Sequence, residues 1–193
     1  LFYGENDGLK KDLKDKIKIT FYEREILNLF QEEIIKNKNF FFNEITNKSL
    51  FDEKKIIFIN EANDKILEIV EEICEIVQEE NIYIFSNNLD KRSKLRTYFE
   101  KSTNFGIAAC YPDNEITIRK IITTKLNNFS GLTNQIINSI IQNVGLDRSK
   151  VNNEIKKIQT YFLNKKIDSE KLDLLLNIRT NDDFSYLKDE ALN

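Results

Sequence analysis

Apolar positions along this chain follow two different periods. KKIIFIN (Lys54 to Asn60), NIYIFSN (Asn81 to Asn87) and NFGIAAC (Asn104 to Cys110) are near-continuous apolar runs, the pattern of strands covered on both faces, and LFY at the start reads as the end of a fourth strand. Between the first two runs, DKILEIVEEICEIVQEE sets Ile66, Ile69, Val70, Ile73 and Val77 at helical spacing, with glutamates on the opposite side. Strand, helix and strand repeated in this way predict right-handed parallel crossovers, hence an α/β fold with a parallel sheet and helices on both faces.

Pro112, the single proline, follows the last strand and marks the expected domain edge. Beyond it the pattern is helical only. Helices are predicted from Glu115 to Asn127, from Thr133 to Val144, and from Asp147 onward. Asp147 is placed as an N-cap before the stripe Val151, Ile155, Ile158, Phe162. A shorter helix is predicted near Ser169 to Ile178, and DDFSYLKDEALN reads as the start of another. The expected organisation is an α/β domain over 1–112, a small helical domain over 113–180, and a stump of a further domain over 181–193.

Composition narrows the chemistry. With 40% hydrophobic and 32% charged residues and a net charge of -3, the chain can build a core and is not dominated by an electrostatic grip on nucleic acid. It has no histidine, and a zinc site or a His-dependent triad is therefore not expected. Cys74 and Cys110 have no paired spacing and read as reduced thiols, Cys74 on the apolar helix face as a small hydrophobe. No apolar run approaches the ~20 residues of a membrane span, and no signal-peptide pattern is present, so a cytoplasmic setting is expected. The absence of methionine, with a start inside a strand, reads as a piece of a longer protein.

The opening LFYGENDGLKK has the outline of a phosphate-binding loop, GxxxxGK[ST], between a strand and a helix. With Gly4 as the first glycine, Lys10 falls at the lysine position, but Leu9 replaces the second glycine and Lys11 the hydroxyl that would ligate magnesium. Glu5 and Asp7 would repel a polyphosphate. The second strand repeats the failure: in IIFINE, Asn60 stands where a metal-binding carboxylate is needed, leaving only Glu61. Loop and metal site fail together, so no nucleotide cofactor and no metal are expected, and GENDG reads as a strand-to-helix turn with an acidic helix start.

Four stretches, in order and spanning nearly the whole chain, carry a family resemblance: LFYGENDGLKK, NKSLFDEKKIIFINEANDKIL, NLDKRSKLRTYFEK followed by CYPDNE, and GLDRSKVNNEIKKIQTYF. The chain resembles the delta subunit of the bacterial DNA polymerase III clamp loader. That resemblance implies a degenerate AAA+ (RecA-type) module without ATP hydrolysis, part of a DNA polymerase holoenzyme, followed by a lid-like helical domain and a C-terminal helical collar. It implies as partners the sliding clamp (beta subunit), the gamma/tau and delta-prime subunits, and DNA within the assembled complex. It also implies that Leu50 and Phe51, with Ser49 before them, form the clamp contact that opens the ring. Lys48 stands where a further apolar contact is common.

The residues themselves leave two readings of Ser49-Leu50-Phe51: an exposed hydrophobic plug, or a cap on the domain's own core. The basic segment Lys91, Arg92, Lys94, Arg96 is either a contact to DNA or a neighbouring subunit, or a solvated helix start. The aromatic run Phe40 to Phe42 reads as core packing. Alternative functions are an ATPase with an atypical loop and a DNA-binding module that uses residues 91–96.

Overall fold

The computed structural model describes residues 1–46, 55–76 and 81–176. The chain divides into two compact units, Leu1–Pro112 and Asp113–Asn193.

The first unit is built on a parallel sheet of five strands in the order β2-β3-β4-β1-β5. These are β1 (Phe2–Tyr3), β2 (Ile26–Phe30), β3 (Ile56–Ala62), β4 (Asn81–Ser86) and β5 (Ala108–Ala109). β2 is the strand the apolar pattern does not announce. ILNLF is short, lies at the sheet edge and runs straight into the helix that follows, so it lacks the bounded run that marks β3 and β4. β5 is shorter than NFGIAAC suggests. It pairs Ala108 with Phe2 and Ala109 with Tyr3 of β1.

Helices cover the two faces unequally. On one face, α2 (Gln31–Lys36), α3 (Lys38–Thr46), α4 (Leu67–Ile76) and α5 (Lys94–Lys101) bury Ile34, Phe41, Ile69, Val70, Ile73, Leu95 and Phe99 against Tyr3, Ile57, Ile59 and Ile84. On the other face α1 (Asp7–Thr20) is the one helix among the described residues that packs on the sheet. Its Ile17, with Phe21 beyond its end, packs on Ile56, Phe58, Phe85 and Phe2. Strand alternation produces this split: in β3, Ile57 and Ile59 serve one core while Ile56 and Phe58 serve the other.

Phe41 is buried and Phe42 partly so, but Phe40 is 60% exposed. Consecutive helical residues point about 100° apart, so three in a row cannot share one core-facing stripe.

The second unit contains α6 (Glu115–Lys125), α7 (Asn134–Val144), α8 (Arg148–Tyr161) and α9 (Ser169–Leu175). Its core joins Ile118, Ile122, Ile136, Ile140, Val151, Ile155 and Ile158. Each helix begins with a side-chain cap, Asn114, Thr133, Asp147 and Asp168 in turn. Arg148 donates from Nε and Nη2 to Asp113 at 2.7 and 2.5 Å, tying the start of α8 to the segment before α6. Among the described residues no helix is long and apolar enough to cross a membrane.

Candidate functional site

In an open parallel sheet, ligands bind in the crevice at the carboxyl ends of the strands. Here that end carries a cleft of about 610 Å³ between α1 and the strand ends of β2, β3 and β4. Its helical wall is Asp7, Lys10, Lys11, Lys14, Asp15 and Lys18; opposite lie Asn28, Phe30, Asn60, Glu61, Phe85, Ser86 and Asn87. The residues read as a failed phosphate loop and a failed metal site therefore converge on one place.

The loop backbone is already committed. The Gly4 N–H donates to Asn87 O at 3.1 Å, Asn6 N–H to Cys110 O at 3.0 Å, and Asp7 N–H to Glu5 O at 3.0 Å. Asn6 caps α1 through Oδ1, which accepts from Leu9 N–H at 2.9 Å, while its Nδ2 donates to Tyr111 O at 3.0 Å. Gly4 has φ +129, and a Cβ there would lie 2.3 Å from Cys110 O, so the glycine serves a close passage of β1 beside the residue after β5. A phosphate cradle needs backbone N–H groups turned outward, and these are turned inward.

Lys10 keeps the place of the phosphate-binding lysine but not its freedom. Its side chain is nearly buried, with Nζ 2.8 Å from Asp7 Oδ1 and donating to Ser86 O at 3.2 Å. Lys11 is exposed. Asn60 is buried in the position of the metal carboxylate; its Nδ2 donates to Leu29 O at 3.1 Å, and its Oδ1 accepts from Lys14 Nζ. The Lys14 ammonium also lies 4.4 Å above the Phe85 ring. A cation on an amide oxygen and an aromatic face thus stands between α1 and the end of β3. Burial, then repulsion by Lys10 and Lys18, lowers the Lys14 pKa below the ordinary lysine value. Glu61 is exposed and has φ 56, at the point where β3 shifts register against β4. These residues do not fit a magnesium nucleotide.

The basic segment divides. Lys91, Arg92 and Lys94 are exposed. Arg96 turns inward: it donates to Leu89 O at 3.2 Å and Glu100 Oε1 at 2.8 Å, and its guanidinium lies 4.9 Å over the Tyr3 ring. Between them Ser93 caps α5. Asp64, just after β3, accepts from Ser93 Oγ at 2.6 Å and from Leu95 N–H at 3.0 Å. The Ser93 hydroxyl, then the Leu95 amide, holds the Asp64 carboxyl below its usual value. The sequence signal for this clasp is only a serine ahead of a helical stripe; nothing in the pattern names Asp64 as its partner.

Cys74 is half-buried and Cys110 buried, and neither forms a disulfide among the described residues. Burial raises the Cys74 thiol, and burial with its hydrogen bond to Cys74 pushes Tyr98 up to about 12. Ser49, Leu50 and Phe51 lie outside the described residues, as do Lys48 and the segment 181–193.

Solved structures share this architecture. The Bacillus subtilis DNA clamp loader delta protein aligns with a TM-score of 0.63 at 12% identity, over 90% of this chain and 56% of that one. The fold is AAA+-like. The Thermotoga maritima RuvB Holliday junction branch migration motor aligns with a TM-score of 0.55 at 14% identity, over 92% of this chain and 60% of its own. A point variant of RuvB gives 0.54 at 13% identity. The chain thus spans a little over half the length of these proteins, 56% to 60%. No protein-family model and no curated protein sequence matches it. Within this AAA+-like frame, the strand order puts the opening loop on β1 between β4 and β5, and the Asn60 position on β3 one strand beyond β4.

Proposed function

We propose that this chain is the AAA+-like part of a clamp loader subunit of the delta type, one that binds a sliding clamp and favours its open ring without catalysis of its own. The observation that carries this reading is the coincidence of two things. The chain aligns with a clamp loader delta protein over 90% of its length, and the amides of Gly4, Asn6, Asp7 and Leu9, with the Lys10 ammonium, are bonded internally. A subunit that works by differential affinity for open over closed clamp needs no nucleotide chemistry.

In this reading Leu50 and Phe51, following Ser49, enter an apolar pocket on the clamp. Each side chain contributes about 1.5–3 kcal/mol on burial, enough for the pair to dominate the interface. The gamma/tau and delta-prime subunits and DNA are partners in the assembled loader, the setting is cytoplasmic, and residues 113–180 and 181–193 are the lid-like domain and the beginning of the collar. The test is Leu50→Ala with Phe51→Ala, assayed for clamp binding by surface plasmon resonance. Binding falls at least a hundredfold while the circular dichroism spectrum and melting temperature stay native. Clamp affinity unchanged in the double variant overturns the site.

A further inference from the structure

The cleft beside α1 holds more than a defunct nucleotide loop. Lys11, Lys14 and Lys18 fall at i, i+3 and i+7, one stripe of α1, and all line the cleft. No ion pair is seen for any of them among the described residues: Lys10 is the lysine neutralised by Asp7. Lys14 is the most constrained, half-buried on an amide oxygen and an aromatic face, with neighbouring lysines repelling it. The stripe covers roughly 10 Å at 1.5 Å per residue. Three carboxylates share the cleft: Asp7, paired to Lys10, Asp15 on the helix, and Glu61 at the end of β3. Against the four lysines Lys10, Lys11, Lys14 and Lys18 the balance is positive by one.

The opposite wall carries no charge until Glu61. Parallel register sets Asn28 beside Phe58 and Phe30 beside Asn60, so Asn28, Phe30 and Asn60 share the sheet face that α1 leaves uncovered at the strand ends. Phe30 is an aromatic ring 45% exposed at the lip of this cleft. The exposed amides of Asn28 and Asn87 and an open aromatic facing a lysine stripe offer two complementary surfaces at once: cations for a phosphodiester backbone, a π-face and amides for bases. A carboxylate peptide would use the lysines and leave Phe30 and Asn28 idle.

We propose that this cleft binds a short stretch of single-stranded nucleic acid, with phosphates along Lys11, Lys14 and Lys18 and a base stacked on Phe30. The site is separate from the exposed Lys91, Arg92 and Lys94, and it does not depend on the clamp assignment.

The experiment is fluorescence anisotropy of a labelled oligothymidine with the full chain at low salt. Lys11→Gln with Lys18→Gln, both at exposed positions, weakens binding at least tenfold. The same variant lowers the log–log salt slope by about 0.7 for each phosphate that is no longer neutralised. Phe30→Ala weakens binding about tenfold with the slope unchanged, and Phe30→Tyr restores it. Native affinity in the Lys11/Lys18 variant overturns the proposal. So does a loss of binding that follows Lys91→Gln with Arg92→Gln instead, or a polyglutamate peptide that displaces the oligonucleotide at equal concentration. Melting temperatures of all variants within about 2–3 °C of native separate loss of binding from loss of fold.

Discussion

The two faces of the sheet are made from the same strands and end differently. On the four-helix face, apolar side chains continue to the strand ends: Ile59, Ala62 and Ile84 stay buried under α2, α4 and α5. On the α1 face the apolar run stops early. Asn28 lies beside Phe58 and Asn60 two residues beyond it, and the helix above them presents lysines. The first face has been closed into a core, and the second has been left as a cleft. A cleft in this fold is thus a property of a few strand-end residues, not of the fold itself.

The strongest way to break the contrast is to empty each face in turn. Phe58→Ala, under the single helix, is expected to cost about 3–5 kcal/mol, and Ile59→Ala, under several, about 2–5 kcal/mol, both read by chemical denaturation. Both residues are fully buried. A cost below about 1 kcal/mol for Phe58→Ala shows that the α1 face is a loose cover and not a second core.

A smaller effect tests the closed side, where the Asp64–Ser93 clasp ties the end of β3 to the start of α5. Asp64→Asn should cost about 1 kcal/mol at neutral pH, the usual scale of a helix cap. Because the folded carboxyl titrates below its ordinary value of 3.8, its contribution is complete above that value and fades as pH falls through the lower, folded one. The variant should therefore lose less stability than the native chain on acidification below pH 4. Parallel acid limbs in the two chains would remove the clasp from the account.

The smallest expected effect is on the open side. Lys14 gives up its proton more readily folded than unfolded, since burial and its lysine neighbours lower its pKa. Stability should rise slightly as pH climbs through the folded value toward 10.5, where the unfolded lysine titrates. Lys14→Met should abolish that rise, measured as the slope of melting temperature against pH on the alkaline side up to 10.5.

Much of this was legible in the sequence, for physical reasons that also mark where legibility stops. β3 and β4 are buried on both faces, so their residues are apolar without interruption and declare themselves. β2 is an edge strand with partly exposed positions and leaves no full pattern, and β5 is a two-residue strand with exposed positions inside a longer apolar run. The failed loop could be read because Leu9, Lys11 and Asn60 are the wrong residue types at fixed offsets. That Lys14, one turn further on, would meet Asn60 depends on how α1 lies across β3. Arg96 looked like its neighbours in a basic run, yet its place opposite Tyr3 follows from β1 and α5 coming together across ninety-odd residues of sequence. Residue type is local information; the partner of a side chain is not.

The position of β1 bears on how the first unit comes to be folded. Phe2 and Tyr3 lie between β4 and β5, with partners at Phe85, Ser86, Ala108 and Ala109. The strand earliest in the chain is thus bracketed by the two latest in its unit. During synthesis α1 emerges before the strands that will seat its leading edge, and the Gly4 passage beside Cys110 cannot form until almost the whole unit is out. The loop's bonds to Asn87, Cys110 and Tyr111 therefore wait on residues some eighty to a hundred positions further along.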